Sequence, residues 1–568
     1  MTNNIRVFLW LAVALAVWLN YSQWQIDYGA KPAPAAQTTG VNGAKPTSID
    51  DIVPQAAQPA ATPAVETVPS AGPVATPAPE AAAEASGGKI QVVTDVLLLD
   101  IDLKGGTLTR AVLPGYPMVK GKPEPVVLLN QDSPETNYVL QTGLAGLKAD
   151  DVRPTHIANF SSDSDKFELA PGQDELRVPL KWTDGNGVTV TKTFVFHRGS
   201  FAIGLEQSIH NESAVPWSAA SYARISRVDP KVERSMFKVE SMAYRVPAIY
   251  DPTGKKYQKL DIEKSENQHL TLNVTDGWIA GIQHHFTTAA VPDRTKTYTY
   301  TLQAQGRHYI LGMLAPSTMV APGATVVIKE NLFVGPKLQK QLETLHPELN
   351  RVADYGALTM LSRPLFWLLD KAHSIVRNWG LAIILVTFML KLLFYPLSEK
   401  AGRSMARMRA LAPRMKTLQE TYKDDRTKLG QATMELYKQE KVNPLAGCLP
   451  MLIQMPVFLA FYWVLLESVE MRQAPFFGWI NDLSARDPFF ILPVLNGLAM
   501  WGQSKLNPPP PDPVQARIFQ LMPIVFSVMF ALFPAGLVLY WVTNTGLSIL
   551  QQWNINRKIT AEDAARRK

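Results

Sequence analysis

A single lysine, Lys391, interrupts an otherwise apolar run from Gly380 to Leu397. An ammonium at the middle of a membrane-crossing helix costs about 2.5–3.5 kcal/mol, so the surroundings must answer it. Two readings are open. Its stem can snorkel toward the headgroups, or the ammonium can face a wet cavity within the membrane. On one continuous helix, Thr387 and Tyr395 lie one turn to either side and share its face. A later run, Gly536–Trp553, carries Trp541, Asn544, Ser548 and Gln551 as a polar stripe at helical spacing. Gln454 lies in the run from about Leu445 to Leu466, and Asn496, Gln503 and Ser504 lie in the run Pro488–Leu506. Such residues also serve as glue between helices. Four helices with one polar side each are expected to share a groove, lined by Lys391, Thr387, Gln454, Gln503, Trp541, Asn544 and Ser548.

Conventional catalysis finds little support. No GxSxG, HExxH or P-loop pattern occurs. His284 and His285 are adjacent, so in a strand they would point to opposite faces and could not chelate one metal. The lone cysteine, Cys448, excludes an intrachain disulfide and a cysteine-based zinc cage, and is expected to be a packing residue. No metal site, no cofactor and no small-molecule substrate are expected.

These residues need a membrane framework. Of 568 residues, 46% are hydrophobic and only 18% charged, against about 25% charged in soluble domains. The net charge of +7 is too mild for a nucleic-acid coat. Residues 1–28 read as a signal-anchor, apolar from Ile5 to Trp24 and ending in Trp18, Tyr21 and Trp24. Residues 29–88 form an extended linker, with 17 Ala and 10 Pro between positions 30 and 86. Period-two alternation over 89–337, with a glycine-bearing turn at Asp184–Gly187, predicts a large antiparallel β-sandwich. Residues 338–379 suit helices lying in the outer interface.

Five further spans are expected within 380–553: Gly380–Leu397, Leu445–Leu466, Pro488–Leu506, Ile518–Phe533 and Gly536–Trp553. The 399–441 segment reads as a helical hairpin around Tyr422–Arg426 and holds eleven Lys or Arg. Arg403, Arg407, Arg409 and Arg414 are its candidate contacts to lipid headgroups or ribosomal phosphates. A basic tail fills 554–568. By the positive-inside rule, the hairpin and both termini are cytoplasmic and the β domain is external. The fold class expected is a polytopic α-helical membrane protein of six spans, five forming a core, with one large external β domain.

Several local motifs point the same way. Asn378-Trp379-Gly380, Pro396-Leu397, Lys441-Val442-Asn443-Pro444-Leu445, Gln454-Met455-Pro456 and Phe533-Pro534-Ala535-Gly536-Leu537 resemble the YidC/Oxa family of membrane protein insertases. Gly277-Trp278 and Gln283-His284-His285-Phe286 are similar to the periplasmic domain of its Gram-negative form. The resemblance implies a bacterial inner-membrane protein with a periplasmic β-supersandwich of the galactose-mutarotase type. It implies a groove open to cytoplasm and lipid and closed toward the periplasm, with no hydrolysis. It implies nascent membrane proteins as substrates, with membrane lipids, the Sec translocon, the ribosome and the signal recognition particle pathway as partners. Thr387 falls on the family's substrate-contacting threonine, Lys391 on its usual arginine, and Trp541 on its usual tyrosine. Met455, Phe458 and Tyr540 are expected to contact the apolar segment as it slides into lipid. Two other classes are compatible with parts of this sequence: a secondary transporter or channel using Lys391 as a binding or proton site, and an anchored carbohydrate-binding protein.

Overall fold

The computed structural model describes residues 88–566, except 147–150, 231–244, 261, 263–267, 423–424, 441–448 and 507–512. The expected anchor, nearly all of the linker, and Cys448 lie outside the described residues.

Residues 89–336 form two sheets, one of eleven strands and one of eight. Nearly every pairing is antiparallel, as expected; the exception is Lys89–Val93 with Lys166–Glu168, which run parallel. Alternation in sequence becomes alternation in burial: along Ala202–Asn211 every second residue, from Ile203 to Asn211, is buried. The expected hairpin joins Glu175–Thr183 to Val188–His197. Gly185 and Gly187 take φ of +74° and +97° there, a region glycine enters without steric cost. The Asp184 carboxylate accepts from the N–H groups of Asn186 at 2.7 Å and Val188 at 2.9 Å, closing the turn. One apolar core, including Phe194, Trp278 and Tyr309, is drawn from both sheets.

That core encloses polar groups with defined partners. The fully buried Lys192 donates to the carbonyls of Gly105 at 2.7 Å and Thr142 at 2.9 Å. His156 meets Arg224 through Nε2 at 2.6 Å and the Tyr222 hydroxyl through Nδ1 at 2.9 Å. A guanidinium only donates, so Nε2 is an acceptor and the proton sits on Nδ1. Burial first, then Arg224, depresses the His156 pKa to about 3.

The sequence reading of the two adjacent histidines needs correction. His284 and His285 occupy the turn between Trp278–Ile282 and Phe286–Val291, not a strand. Off the pleat they do not alternate, and their rings stack with centroids 3.7 Å apart. Among the described residues no cluster of three or more metal-ligating side chains occurs.

Ten helices follow among the described residues: α1 (Gln339–Leu345), α2 (Thr359–Val376), α3 (Trp379–Leu393), α4 (Tyr395–Ala410), α5 (Ala412–Thr421), α6 (Arg426–Gln439), α7 (Leu449–Glu467), α8 (Ile491–Leu506), α9 (Pro513–Phe530) and α10 (Ala535–Arg566). Described helices overlap each of the five expected apolar runs. No single described helix is long and apolar enough to cross a membrane, but α3 and α4 pass that test together across a 60° bend. The bend corrects the expectation of one continuous helix over Gly380–Leu397, and it separates Tyr395 from the face of Lys391. Pro396 supplies a reason: it lacks an N–H and disfavours a helical residue before it, but is tolerated in a first turn. The first arm of the basic hairpin breaks once more, between α4 and α5, where Pro413 enters the first turn of α5.

The Asn378-Trp379-Gly380 motif acquires a local cause. Asn378 caps α3 by accepting from the Leu381 N–H at 3.0 Å. Trp379 stacks on His373 at 4.0 Å. A Cβ on Gly380 would come within 2.1 Å of the Phe476 ring.

The His156 geometry sets a pH dependence. The unfolded chain takes up this proton near pH 6.5, and the folded domain only near pH 3. The stabilisation is therefore full above pH 6.5 and is lost as pH falls toward 3. In the detergent-solubilised chain, the β-domain melting temperature should fall across that window, and His156→Gln should flatten the fall. Equal slopes in the two proteins would contradict a His156 held neutral in the fold.

Candidate functional site

Where α3, α4, α7 and α10 converge they line an open pocket, whose empty space, solvent at its mouth included, is about 470 Å³. From α3 come Thr387, Leu390 and Lys391; Phe394, at the bend, and Leu397 and Ser398, from α4, make its floor. From α7 come Gln454 and Val457, and from α10 come Tyr540 and Asn544. The wall is mixed, apolar side chains alternating with a few convergent polar groups, as small binding pockets commonly are.

The polar groups form a connected set. Lys391 is half-buried, and its Nζ donates to Ser548 Oγ at 2.7 Å. Ser548 donates in turn to the Asn544 carbonyl at 2.7 Å. The Asn544 side-chain oxygen accepts from Gln454 Nε2, joining α10 to α7. Gln454 also meets the Tyr540 hydroxyl. Thr387 is buried, and its hydroxyl donates to the Ile383 carbonyl of its own helix at 2.6 Å. Among the described residues no carboxylate lines the pocket.

Five of the seven expected groove residues therefore meet: Lys391, Thr387, Gln454, Asn544 and Ser548. Trp541 does not line the pocket. Its ring packs on Phe458 at 4.8 Å and on Phe530 at 5.3 Å. Tyr540 takes the pocket position, with 540, 544 and 548 recurring every four residues on one helix face. Gln503 is half-buried on α8 but does not line the pocket. Its neighbour Ser504 bonds within α8, to the Trp501 carbonyl at 2.7 Å. Fully buried Asn496 accepts from Thr545 of α10 at 3.4 Å, so α8 uses polarity as interhelical glue. Phe394, Leu397 and Ser398 also line the pocket, and Phe394 and Ser398 follow Lys391 at a spacing of three and seven residues, one face of a helix.

Of the expected slide contacts, Met455 is exposed on α7 and Phe458 lies against both Tyr540 and Trp541. The basic hairpin is partly self-paired. Arg403 bonds Glu399 at 2.9 Å and Glu562 of α10 at 2.7 Å. Arg414 bonds Glu440 at 2.5 Å. Arg407 is exposed, and the Arg409 side chain lies outside the described residues.

Comparison with known proteins is consistent along the whole chain. The family model described as 60Kd inner membrane protein matches residues 371–562, and that described as YidC periplasmic domain matches 89–368. The chain is 44% identical over 567 residues to the membrane protein insertase YidC of Thioalkalivibrio sulfidiphilus, covering 98% of this chain and 99% of that one. It is 43% identical over 566 residues to the YidC of Nitrosococcus oceani, covering 99% and 100%. Among solved structures, an active YidC insertase with its first transmembrane domain resolved matches at 19% identity and a TM-score of 0.38, covering 82% of this chain and 92% of that one. With family models matching both the β domain and the helical core, and full-length relatives at this identity, the chain belongs to the YidC family of membrane protein insertases.

Proposed function

We propose that the pocket around Lys391 is the hydrated half-groove through which this chain moves the polar flank of a nascent membrane protein into the inner membrane. One observation carries this reading: an ammonium inside a mixed pocket, bonded to Ser548 of a facing helix and opposed by no carboxylate among the described lining residues. A polar tail crossing about 30 Å of hydrocarbon unaided leaves its backbone groups unpaired. A wet pocket shortens that dry path. Lys391 attracts acidic side chains of the tail, and the membrane potential draws them onward. The apolar segment then leaves between α7 and α10, past Met455, Phe458 and Tyr540. Insertion on this route needs no bond cleavage and no cofactor.

The same reading assigns the topology. Residues 1–28 are the anchor, 29–88 the linker, 89–337 the periplasmic domain, 338–379 the interfacial helices, 380–553 the six-span protein's five-helix core and 554–568 the tail. Both termini and the hairpin face the cytoplasm. The ribosome, the signal recognition particle pathway and the Sec translocon are proposed to deliver or share substrates at that face. The exposed Arg407 is the first hairpin contact to examine, since Arg403 and Arg414 already have carboxylate partners. A transporter or carbohydrate-binding role is not favoured by relatives that are insertases over the full length.

Charge attraction predicts an ordered series. Lys391→Glu should lower insertion of a single-span substrate with an acidic tail by about tenfold or more, about 1.4 kcal/mol, because attraction of the tail becomes repulsion. Lys391→Arg should stay within about threefold of the parent, since the charge is kept. Protease protection in proteoliposomes checks both, and normal insertion with Lys391→Glu contradicts the mechanism. Water access is a separate expectation. In a Cys448→Ser background, a membrane-impermeant maleimide should label Ser398→Cys from the cytoplasmic side and leave Leu537→Cys, at a position 1% exposed, unlabelled.

A further inference from the structure

The C-terminal end of α7 is held by the β domain rather than by its own helical neighbours alone. Lys337, just past the strand Thr325–Pro336, forms an ion pair with Glu467 at 3.3 Å, and the two side chains are 1% and 2% exposed. The Lys337 backbone N–H donates to the His285 carbonyl at 2.9 Å, so pair and histidine turn are one unit. From that turn, His284 Nε2 donates to the Leu466 carbonyl at 3.0 Å. This carbonyl is among those a helix end leaves without an intrahelical partner. Beyond α7, Ser468 lies 3.5 Å from the Tyr355 hydroxyl, which accepts from Gln339 at 2.6 Å.

An ion pair this deeply buried adds little net stability, because desolvation offsets attraction. It does penalise every position of the helix end in which the two charges part. The penalty is transmitted inward, because Gln454 lies 13 residues before Glu467 on the same helix, about 20 Å along its axis. We infer that Lys337 and Glu467 are positioning residues for insertion: the β domain clamps the end of α7 and thereby sets Gln454 against Asn544 across the pocket. This rests on the groove reading, in which α7 is a wall of the substrate path.

The test uses the full chain in a Cys448→Ser background, with spin labels at the exposed positions Leu459 on α7 and Leu550 on α10. Lys337→Met and Glu467→Gln should each broaden the measured distance distribution and lower insertion about tenfold, within the range expected of a coupling path. The exchange K337E/E467K, or the apolar pair K337M/E467M should the exchange not fold, should restore a narrow distribution and insertion to within about threefold. An unchanged distribution in both single variants overturns the clamp. A broadened distribution with normal insertion overturns its role in insertion. Failure of the groove reading shows elsewhere, as indifference to Lys391→Glu in the otherwise unaltered chain.

Discussion

A charged amine on an apolar helix needs dipoles within reach, and here they come from a different helix. The bond from Lys391 to Ser548 draws α3 against α10, and the bond from Gln454 to Asn544 draws α7 into the same contact. In a hydrocarbon surround, hydrophobicity does not favour helix–helix contact, so packing and such polar bonds specify which faces meet. The packing is also close where it matters: Gly380 admits the Phe476 ring, and Gly536 donates to the Leu483 carbonyl at 2.9 Å, pinning the starts of α3 and α10 to one loop. The pocket is the space these fixed ends leave below them.

Much of this arrangement was readable in the chain, for reasons that can be named. Lys391 announces itself because charge is costly in an apolar run. Gln454, Asn544 and Ser548 announce themselves by the same cost. The β domain is visible because period-two alternation survives as alternating burial, as along Ala202–Asn211. The hairpin at Asp184–Gly187 follows from residue types alone.

What was not readable depends on contacts distant in sequence or on local breaks in periodicity. Asn496 and Asn544 have the same chemistry, and only packing decides that one glues helices while the other lines a pocket. Trp541 and Tyr540 differ by one residue, a rotation of about 100° on a helix. Past the 60° bend at Phe394, Tyr395 is not among the residues that line the pocket. Lys337 and Glu467 are 130 residues apart; neither periodicity nor composition joins them. His284 and His285 lie in a turn that alternation in the flanking strands does not mark.

The Thr387 hydroxyl has a consequence for what the pocket can welcome. Its proton is already given to Ile383, and that of Ser548 to Asn544. The Asn544 side-chain oxygen is occupied by Gln454. Lys391, by contrast, has three protons and one described partner. With its proton committed the Thr387 oxygen can only accept, so it is Lys391 that offers hydrogen to a guest. Carboxylates and bare peptide carbonyls find company there, whereas a guest bristling with guanidinium or ammonium groups meets a host of its own polarity.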